Sequence, residues 1–537
     1  MDQTQPTCGI ALMAALKAYG VDTVFGIPGV HTLELYRGIA AAGLRHVVVR
    51  HEQGAGFMAD GYARVSGRPG VCVLITGPGV TNAATAIGEA YAESSPVLII
   101  SSVNARGDLG MGRGELHELP SQQGSTAALA GMSATALRPA EVPELIARAF
   151  AMFASGRPRP AHIAVPIDVL AEPAGFDTSA RALPAPPSPD RAAIARAAAL
   201  LARAERPVIL AGGGAQASAA SVQRLAERTG AAVVLTRGGK GVVPDAHPLC
   251  LGATLRLPGT RAVLRDADVV VAIATEISMT DHWMAPKLEL GGNLIRLDID
   301  ATALVRDYPA AVALHADAGV AVDALLDELG PTPNAPRGHG DGAALESRRI
   351  ENLAVLTPKQ RLHRKVLDAM RAALPDDGFV AADSTQLAYT GNALFPCRRP
   401  RSWFFPVGYG TLGFALPAAI GAKLAAPERP GAVIVGDGGF LFTAQELATA
   451  VDHKLPLAVV LWNNDAYGQI KDDMAAKGYP RIGVELRNPD FLALARAFAC
   501  HAERPDSLAA FQAALKCAPT RDVPTLIEVR EDARFLA

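Results

Sequence analysis

With 537 residues, half of them hydrophobic and 19% charged, the chain is long enough for about three domains of ordinary size. A formal net charge of −2 with scattered Lys and Arg removes the electrostatic case for a nucleic-acid partner. The apolar runs are broken by Gly, Pro or charge well short of the roughly 20 residues of a spanning helix, so no membrane partner is expected.

The start, Met1-Asp2-Gln3-Thr4-Gln5, has no basic segment followed by an apolar one, and six cysteines are dispersed without Cys-x-x-Cys spacing. Both features point to a cytoplasmic protein with reduced thiols. The first motif is Phe25-Gly26-Ile27-Pro28-Gly29. Next, Val47-Val48-Val49 reads as a strand running into Arg50-His51-Glu52, and 54–66 as a helix with Phe57, Met58, Tyr62 and Val65 available for burial. Alone, Glu52 would be a favourable charge at the positive end of that helix. A glycine turn, Thr76-Gly77-Pro78-Gly79-Val80-Thr81-Asn82, follows. The polar stretch Gly112 to Pro120 then carries His117 and Glu118, with Gln122 two residues beyond it.

Residues 173–190 and 330–347, rich in Pro with Ala, Ser or Gly, break the strand and helix rhythm and read as linkers. Between them, Pro207-Val208-Ile209-Leu210-Ala211 enters the turn Gly212-Gly213-Gly214, and Leu294 to Ile299 ends in acids at Asp298 and Asp300. That pairing would suit a dinucleotide, although a lone glycine-rich turn is a weak signal.

In the last third, Ala432-Val433-Ile434-Val435 precedes Gly436-Asp437-Gly438-Gly439-Phe440, and the apolar run 457–462 precedes Asn463-Asn464-Asp465-Ala466-Tyr467-Gly468. Asp437 and Asn464 should therefore sit at the carboxyl ends of neighbouring parallel strands, where open α/β sheets hold ligands. A carboxylate, an amide and nearby backbone carbonyls are hard oxygen ligands suited to Mg²⁺ or Ca²⁺ bound with a diphosphate. The expected fold is α/β: domains at 1–175, 186–335 and 355–537, the outer two sharing one plan of parallel sheets covered on both faces.

These motifs, together with Gly408-Tyr409-Gly410-Thr411-Leu412-Gly413-Phe414-Ala415-Leu416-Pro417, resemble the thiamine diphosphate enzymes, and within them the acetolactate synthase group. The resemblance implies a pyrimidine-binding first domain, a Rossmann-like central domain and a diphosphate-binding last domain. It implies Asp437, the Asn464 side chain and the Ala466 carbonyl as Mg²⁺ ligands. Gly436, Gly438, Gly439, Tyr467, Gly468 and Gln386 would line the diphosphate side, with Gly29, Thr76 and Asn82 on the pyrimidine side. Glu52 would hydrogen-bond the aminopyrimidine ring and favour its imino tautomer. Leu412 would force the bent cofactor shape and the Gly410 carbonyl accept from its amino group. The cofactor would lie between subunits of a homodimer or homotetramer.

For the reaction, the resemblance implies loss of CO₂ from a small-molecule 2-oxo acid. Protonation then gives an aldehyde, whereas attack on a second 2-oxo acid gives an acetohydroxy acid. The segments Gly112 to Pro120, Asp383-Ser384-Thr385-Gln386-Leu387-Ala388-Tyr389-Thr390 and Asp465 to Met474 look closer to decarboxylases of 5-guanidino-2-oxopentanoate, and the Gln-Trp segment of acetolactate synthases is missing. His117 or His51 is a candidate proton donor, Gln122 a candidate hydrogen-bond donor to substrate, and Asp465 or Glu118 a candidate partner for a cationic tail. FAD is an alternative passenger of the central domain, although no arginine of the flavin signature follows Val269 to Ala274. The alternatives are a carboligase, an FAD-dependent 2-oxo acid oxidase, a nicotinamide dehydrogenase resting on Gly212 to Gly214 alone, and a non-catalytic protein that keeps the fold.

Overall fold

The computed structural model describes residues 5–283, 285–331, 339 and 342–536. The absence of a signal at residues 1–4 and the domain end at 335 lie outside the described residues.

Seventeen strands are formed among the described residues, most of them short apolar runs: β1 Thr23–Gly26, β2 Arg45–Val48, β3 Gly70–Leu74, β4 Val97–Val103, β5 Met132–Thr135, β6 Ala161–Pro166, β7 Pro207–Ala211, β8 Ala232–Leu235, β9 Val269–Ile273, β10 Asn293–Asp298, β11 Val312–His315, β12 Phe379–Ala382, β13 Trp403–Phe404, β14 Gly431–Gly436, β15 Leu457–Asn463, β16 His501–Glu503 and β17 Thr525–Arg530. They make three wholly parallel sheets, ordered β2-β1-β3-β4-β6-β5, β11-β10-β9-β7-β8 and β13-β12-β14-β15-β17-β16. Counted from its own first strand, the third sheet repeats the order of the first. The apolar strands need cover on both faces, and the intervening helices supply it.

That order places a winding reversal between β1 and β3, and again between β12 and β14. The crevice at such a switch point is where doubly wound sheets take ligands. The first and third sheets also share one core. Phe57, on the helix Glu52–Ser66, and Phe414, the N-cap of the helix Ala415–Ala425, meet edge to face at 5.6 Å. These helices touch through backbone: a Cβ on Gly61 would stand 1.9 Å from the Ala418 carbonyl oxygen, and one on Gly421 1.8 Å from that of Met58.

All six cysteines are free thiols, five of them buried. No helix among the described residues is long and apolar enough to cross a membrane.

Candidate active site

Every sequence-derived candidate outside the central sheet sits near a strand's carboxyl end or in the turn or helix that follows. Glu52 opens its helix just beyond β2, with His51 as N-cap accepting from the Gln53 amide at Nδ1. Glu52 is a buried residue. Asn82 Nδ2 donates to Glu52 Oε2 at 2.9 Å, so Asn82, at the end of the short helix Pro78–Asn82 after β3, fixes the rotamer of a carboxylate carried by the helix after β2.

The turn after β3 assembles a polar group. Thr76 donates to Ser102 Oγ through its amide and hydroxyl, at 3.1 and 3.0 Å, and His31 Nδ1 lies 3.0 Å from Thr76 Oγ1. His117, held at a φ of 63°, stacks obliquely on His31 at 5.3 Å, and its Nδ1 is buried with no partner. Burial and the neighbouring His117 hold His31 below the usual imidazole range. Gly29 abuts Ile75 at the base of this turn. His31 was not singled out from the sequence, although it lies two residues beyond Gly29; only the fold brings it to Thr76.

Three of the candidate side chains already have partners within the chain. Gln122 Oε1 accepts from the Gly77 amide at 2.8 Å, and Nε2 donates to Ser101 Oγ and the Ser102 carbonyl at 3.0 and 2.8 Å. Both amide hydrogens go to β4, and the amide oxygen fastens the turn after β3 to it. Glu118 accepts backbone N–H groups of Gly112, Arg113, Gly114 and Glu115, which hold its carboxyl below the usual range; it organises its own loop instead of facing a cation. Asp465 is paired with Arg530 Nη2 at 2.8 Å, so its charge is already met.

On the third sheet, β14 and β15 pair in parallel with Gly436 opposite Trp462, which sets Asp437 and Asn464 at adjacent strand ends. Asp437 Oδ2 accepts from the Ala466 amide at 3.2 Å and from Asn488 Nδ2 at 2.7 Å. Burial pushes the Asp437 carboxyl up, and these donors with the Gly438 amide pull it partly back. The Asn464 amide nitrogen donates to Glu531 Oε2 at 3.1 Å, which turns its carbonyl oxygen away. The two segments close because Gly438 leaves room for the Tyr467 ring and Gly468 for the Asn464 amide, where a Cβ would stand at 2.6 and 2.4 Å.

Asn488 escaped the sequence reading, since it follows no strand and carries no motif. Its Oδ1 is buried without a partner, beside the Asp437 carboxylate. A buried orphan oxygen, a carboxylate pushed up by desolvation and a turned-out amide oxygen are what a hard cation would satisfy, so the residues present fit a Mg²⁺-diphosphate group.

Gln386 Nε2 donates to Asp472 at 2.7 Å, and its Oε1 accepts from Lys359 at 3.2 Å; it braces the rim beside Asn464. Leu412 is half-buried, its Cδ2 lying 3.6 Å from where a Gly439 Cβ would be. Beneath it, buried Asp383 accepts from the Gly413 amide at 2.9 Å, and burial pushes that carboxyl up to about 6. Gly410 adopts a φ of 72°, the left-handed region that glycine tolerates best, and its surroundings are open. Among the described residues, no hydrogen bond joins Glu52, Thr76, Asn82 or His117 to Leu412, Asp437, Asn464 or Asn488. They are two half-sites on two sheets.

In the central sheet the acids after β9 and β10 face arginines of the first domain. Arg157 pairs with Asp298 at 3.1 Å, Asp300 at 3.4 Å and Glu276, so the acids of the segment that the sequence offered to a dinucleotide meet a guanidinium.

Family profiles match all three parts of the chain: the N-terminal binding domain of thiamine pyrophosphate enzymes over residues 6–125, their central domain over 194–325 and their C-terminal binding domain over 383–529. A protein of Pseudomonas aeruginosa described as a probable 2-ketoarginine decarboxylase is 53% identical, covering 98% of this chain and 94% of its own. The chain belongs to the thiamine pyrophosphate enzyme family. The Escherichia coli acetolactate synthase isozyme 1 large subunit is 31% identical, over 96% of this chain and 92% of that one. An X-ray structure of a Mycobacterium smegmatis protein, described as thiamin diphosphate-dependent, superimposes with a TM-score of 0.83 at 24% identity, covering 98% of this chain and 99% of that one. That likeness concerns the fold: three parallel-sheet α/β units in one chain.

Proposed function

We propose that this thiamine pyrophosphate enzyme decarboxylates a 2-oxo acid, using thiamine diphosphate and Mg²⁺, and that its substrate is the 2-oxo acid of arginine or a close analogue. The observation that carries the reading is the 53% identity across 98% of the chain to a protein described as a probable 2-ketoarginine decarboxylase. The identity to acetolactate synthase is much lower, and the stretch after Asn464 lacks the Gln-Trp segment of that group.

Asp437, Asn464 and the Ala466 carbonyl would hold the cation, and Leu412 and Gly410 would support the cofactor from the third sheet. When bound, thiamine diphosphate supplies the electron sink for the carbon–carbon bond that breaks as CO₂ leaves. The chain's own part is to hold and move protons. Glu52 would exchange one with the cofactor ring through Oε1, the oxygen that Asn82 leaves free. His117 offers Nδ1 as the donor that would turn the decarboxylated fragment into an aldehyde; its burial without a partner leaves it able to serve. Carboligation is the second reading, because acetolactate synthases share the whole plan.

The half-sites would be completed across a homodimer, or a tetramer built from it. Their surroundings expose Val30, Leu33, Tyr409, Leu441 and Phe442, large apolar side chains that a partner subunit would cover. Five buried free thiols suit a reducing, cytoplasmic setting.

The test is incubation with thiamine diphosphate, Mg²⁺ and a panel of 2-oxo acids, pyruvate and 5-guanidino-2-oxopentanoate included, following CO₂ and identifying the organic product. An aldehyde from the guanidino acid is expected. Acetolactate from pyruvate would make the carboligase reading the correct one.

A further inference from the structure

Glu446 opens the helix Glu446–Asp452 of the third domain, nine residues beyond Asp437, and is completely buried. Its carboxyl group leaves its own domain. Oε1 accepts the Arg50 and His51 amides, each at 3.1 Å, and Oε2 lies 3.2 Å from the Arg50 amide. Thr449 completes the grip, donating to Glu446 Oε2 at 2.8 Å and to the Val48 carbonyl at 3.3 Å. A side chain on Gly54 would put its Cβ 2.4 Å from Oε1, so that glycine leaves space for the carboxyl group against the first turn of the Glu52 helix.

The residues gripped are the two immediately before Glu52. They follow β2, an edge strand of only four residues, so the sheet offers their amides no acceptor on the open side. Asn82 fixes the Glu52 carboxyl group, and among the described residues the side chain that holds the Arg50 and His51 amides is Glu446. We propose that Glu446 is a positioning residue for Glu52: it sets the backbone direction from which the Glu52 carboxyl is presented to the cofactor ring. The inference rests on the proposed role of Glu52. It ties the segment that begins with Asp437 to the acid–base residue of the other half-site, inside one chain.

The experiment follows exchange of the C2 proton of thiamine diphosphate, bound with Mg²⁺ to the intact enzyme in D₂O, by acid quench and NMR. This readout reports the task of Glu52 without substrate. Wild type, E52Q, E446Q, E446D and the double variants are compared at saturating cofactor, with thermal unfolding as the folding control. In E446Q the amide oxygen keeps both backbone hydrogens, so exchange should stay within about threefold of wild type; in E446D the acceptor is withdrawn by one methylene and exchange should slow by roughly ten- to a hundredfold. In the E52Q background E446D should cost less than about twofold, because the residue acts through Glu52. Wild-type exchange in folded E446D, or an equal loss in both backgrounds, overturns the inference while leaving Glu52 in place. Fast exchange in E52Q itself overturns the role of Glu52, and the inference with it. If E446D does not fold, slowed exchange in folded E446Q that persists undiminished beside E52Q overturns it equally.

Discussion

Asn82 Nδ2 donates to Glu52 Oε2 at 2.9 Å, reaching from the short helix after β3 to the helix that follows β2. One carboxylate oxygen is thereby committed to Asn82, which leaves the other for the role proposed for Glu52. The pair is the fixed part of the first half-site, and its energetic weight is open to direct measurement.

Glu52→Gln keeps the size and the hydrogen bond but cannot exchange a proton. Turnover should fall by about 10²- to 10⁴-fold with the fold intact. Asn82→Ala should lower kcat by about tenfold, through loss of orientation, with little change in KM. Steady-state kinetics on the best 2-oxo acid decides; near-normal kcat in Glu52→Gln would remove the residue from its role.

Asp437→Ala should destroy the cation-dependent part of cofactor binding. Asn488→Ala removes a group that orients Asp437 at 2.7 Å and should weaken apparent affinity by roughly 10- to 100-fold. Calorimetric titration of thiamine diphosphate at several Mg²⁺ concentrations checks both. Unchanged affinity in Asp437→Ala would sink the metal assignment.

Gln122→Leu separates two roles. If the side chain fastens the turn at Gly77, the variant leaves the Gly77 amide and the Ser102 carbonyl unpaired, costing about 1–3 kcal/mol of stability. KM for the 2-oxo acid should then move little. A large rise in KM without loss of stability would restore Gln122 as a substrate donor.

Burial pushes Glu446 up to about 7 from an ordinary 4.5, its hydrogen-bond donors offsetting only part of that effect. The folded state therefore holds a proton that the unfolded chain has released. The stability due to the neutral form is complete below about pH 4.5 and is lost as pH rises through about 7. Glu446→Gln has no such loss, so its melting temperature relative to wild type should climb between pH 5 and 8. A constant difference would contradict this.

His162 runs the other way. It is buried between Ser101, Thr126 and Ser133, and desolvation pushes it down to about 4 from 6.5. Its contribution is present above pH 6.5 and lost as pH falls through about 4. Because Ser101 also accepts from Gln122, acid should loosen the Thr76 turn. Denaturant titrations from pH 7 to 4 should show a steep loss in wild type and a shallower one in His162→Gln.

The amino-acid sequence by itself determined the parallel α/β character, the twin outer domains and the strand ends at Glu52, Asp437 and Asn464. Those features are local: apolar runs of strand length closed by glycine or a polar residue fix where a strand stops, and hence what stands at its carboxyl end. Tertiary structure alone decided what those ends face. Asn488 and His31 carry no periodic or spacing signal, and they matter only because the chain returns them to Asp437 and Thr76. Gln122, Glu118 and Asp465 have side chains suited to a ligand, yet Gly77, the 112–115 amides and Arg530 reach them first. Glu446 reads as an ordinary helix-opening acid until the close packing of Gly61 on Ala418, and of Gly421 on Met58, draws two domains together and lays its carboxyl group under the backbone of Arg50 and His51. A hydrogen bond between residues 396 positions apart depends on where two sheets come to rest, and no local rule of sequence encodes that.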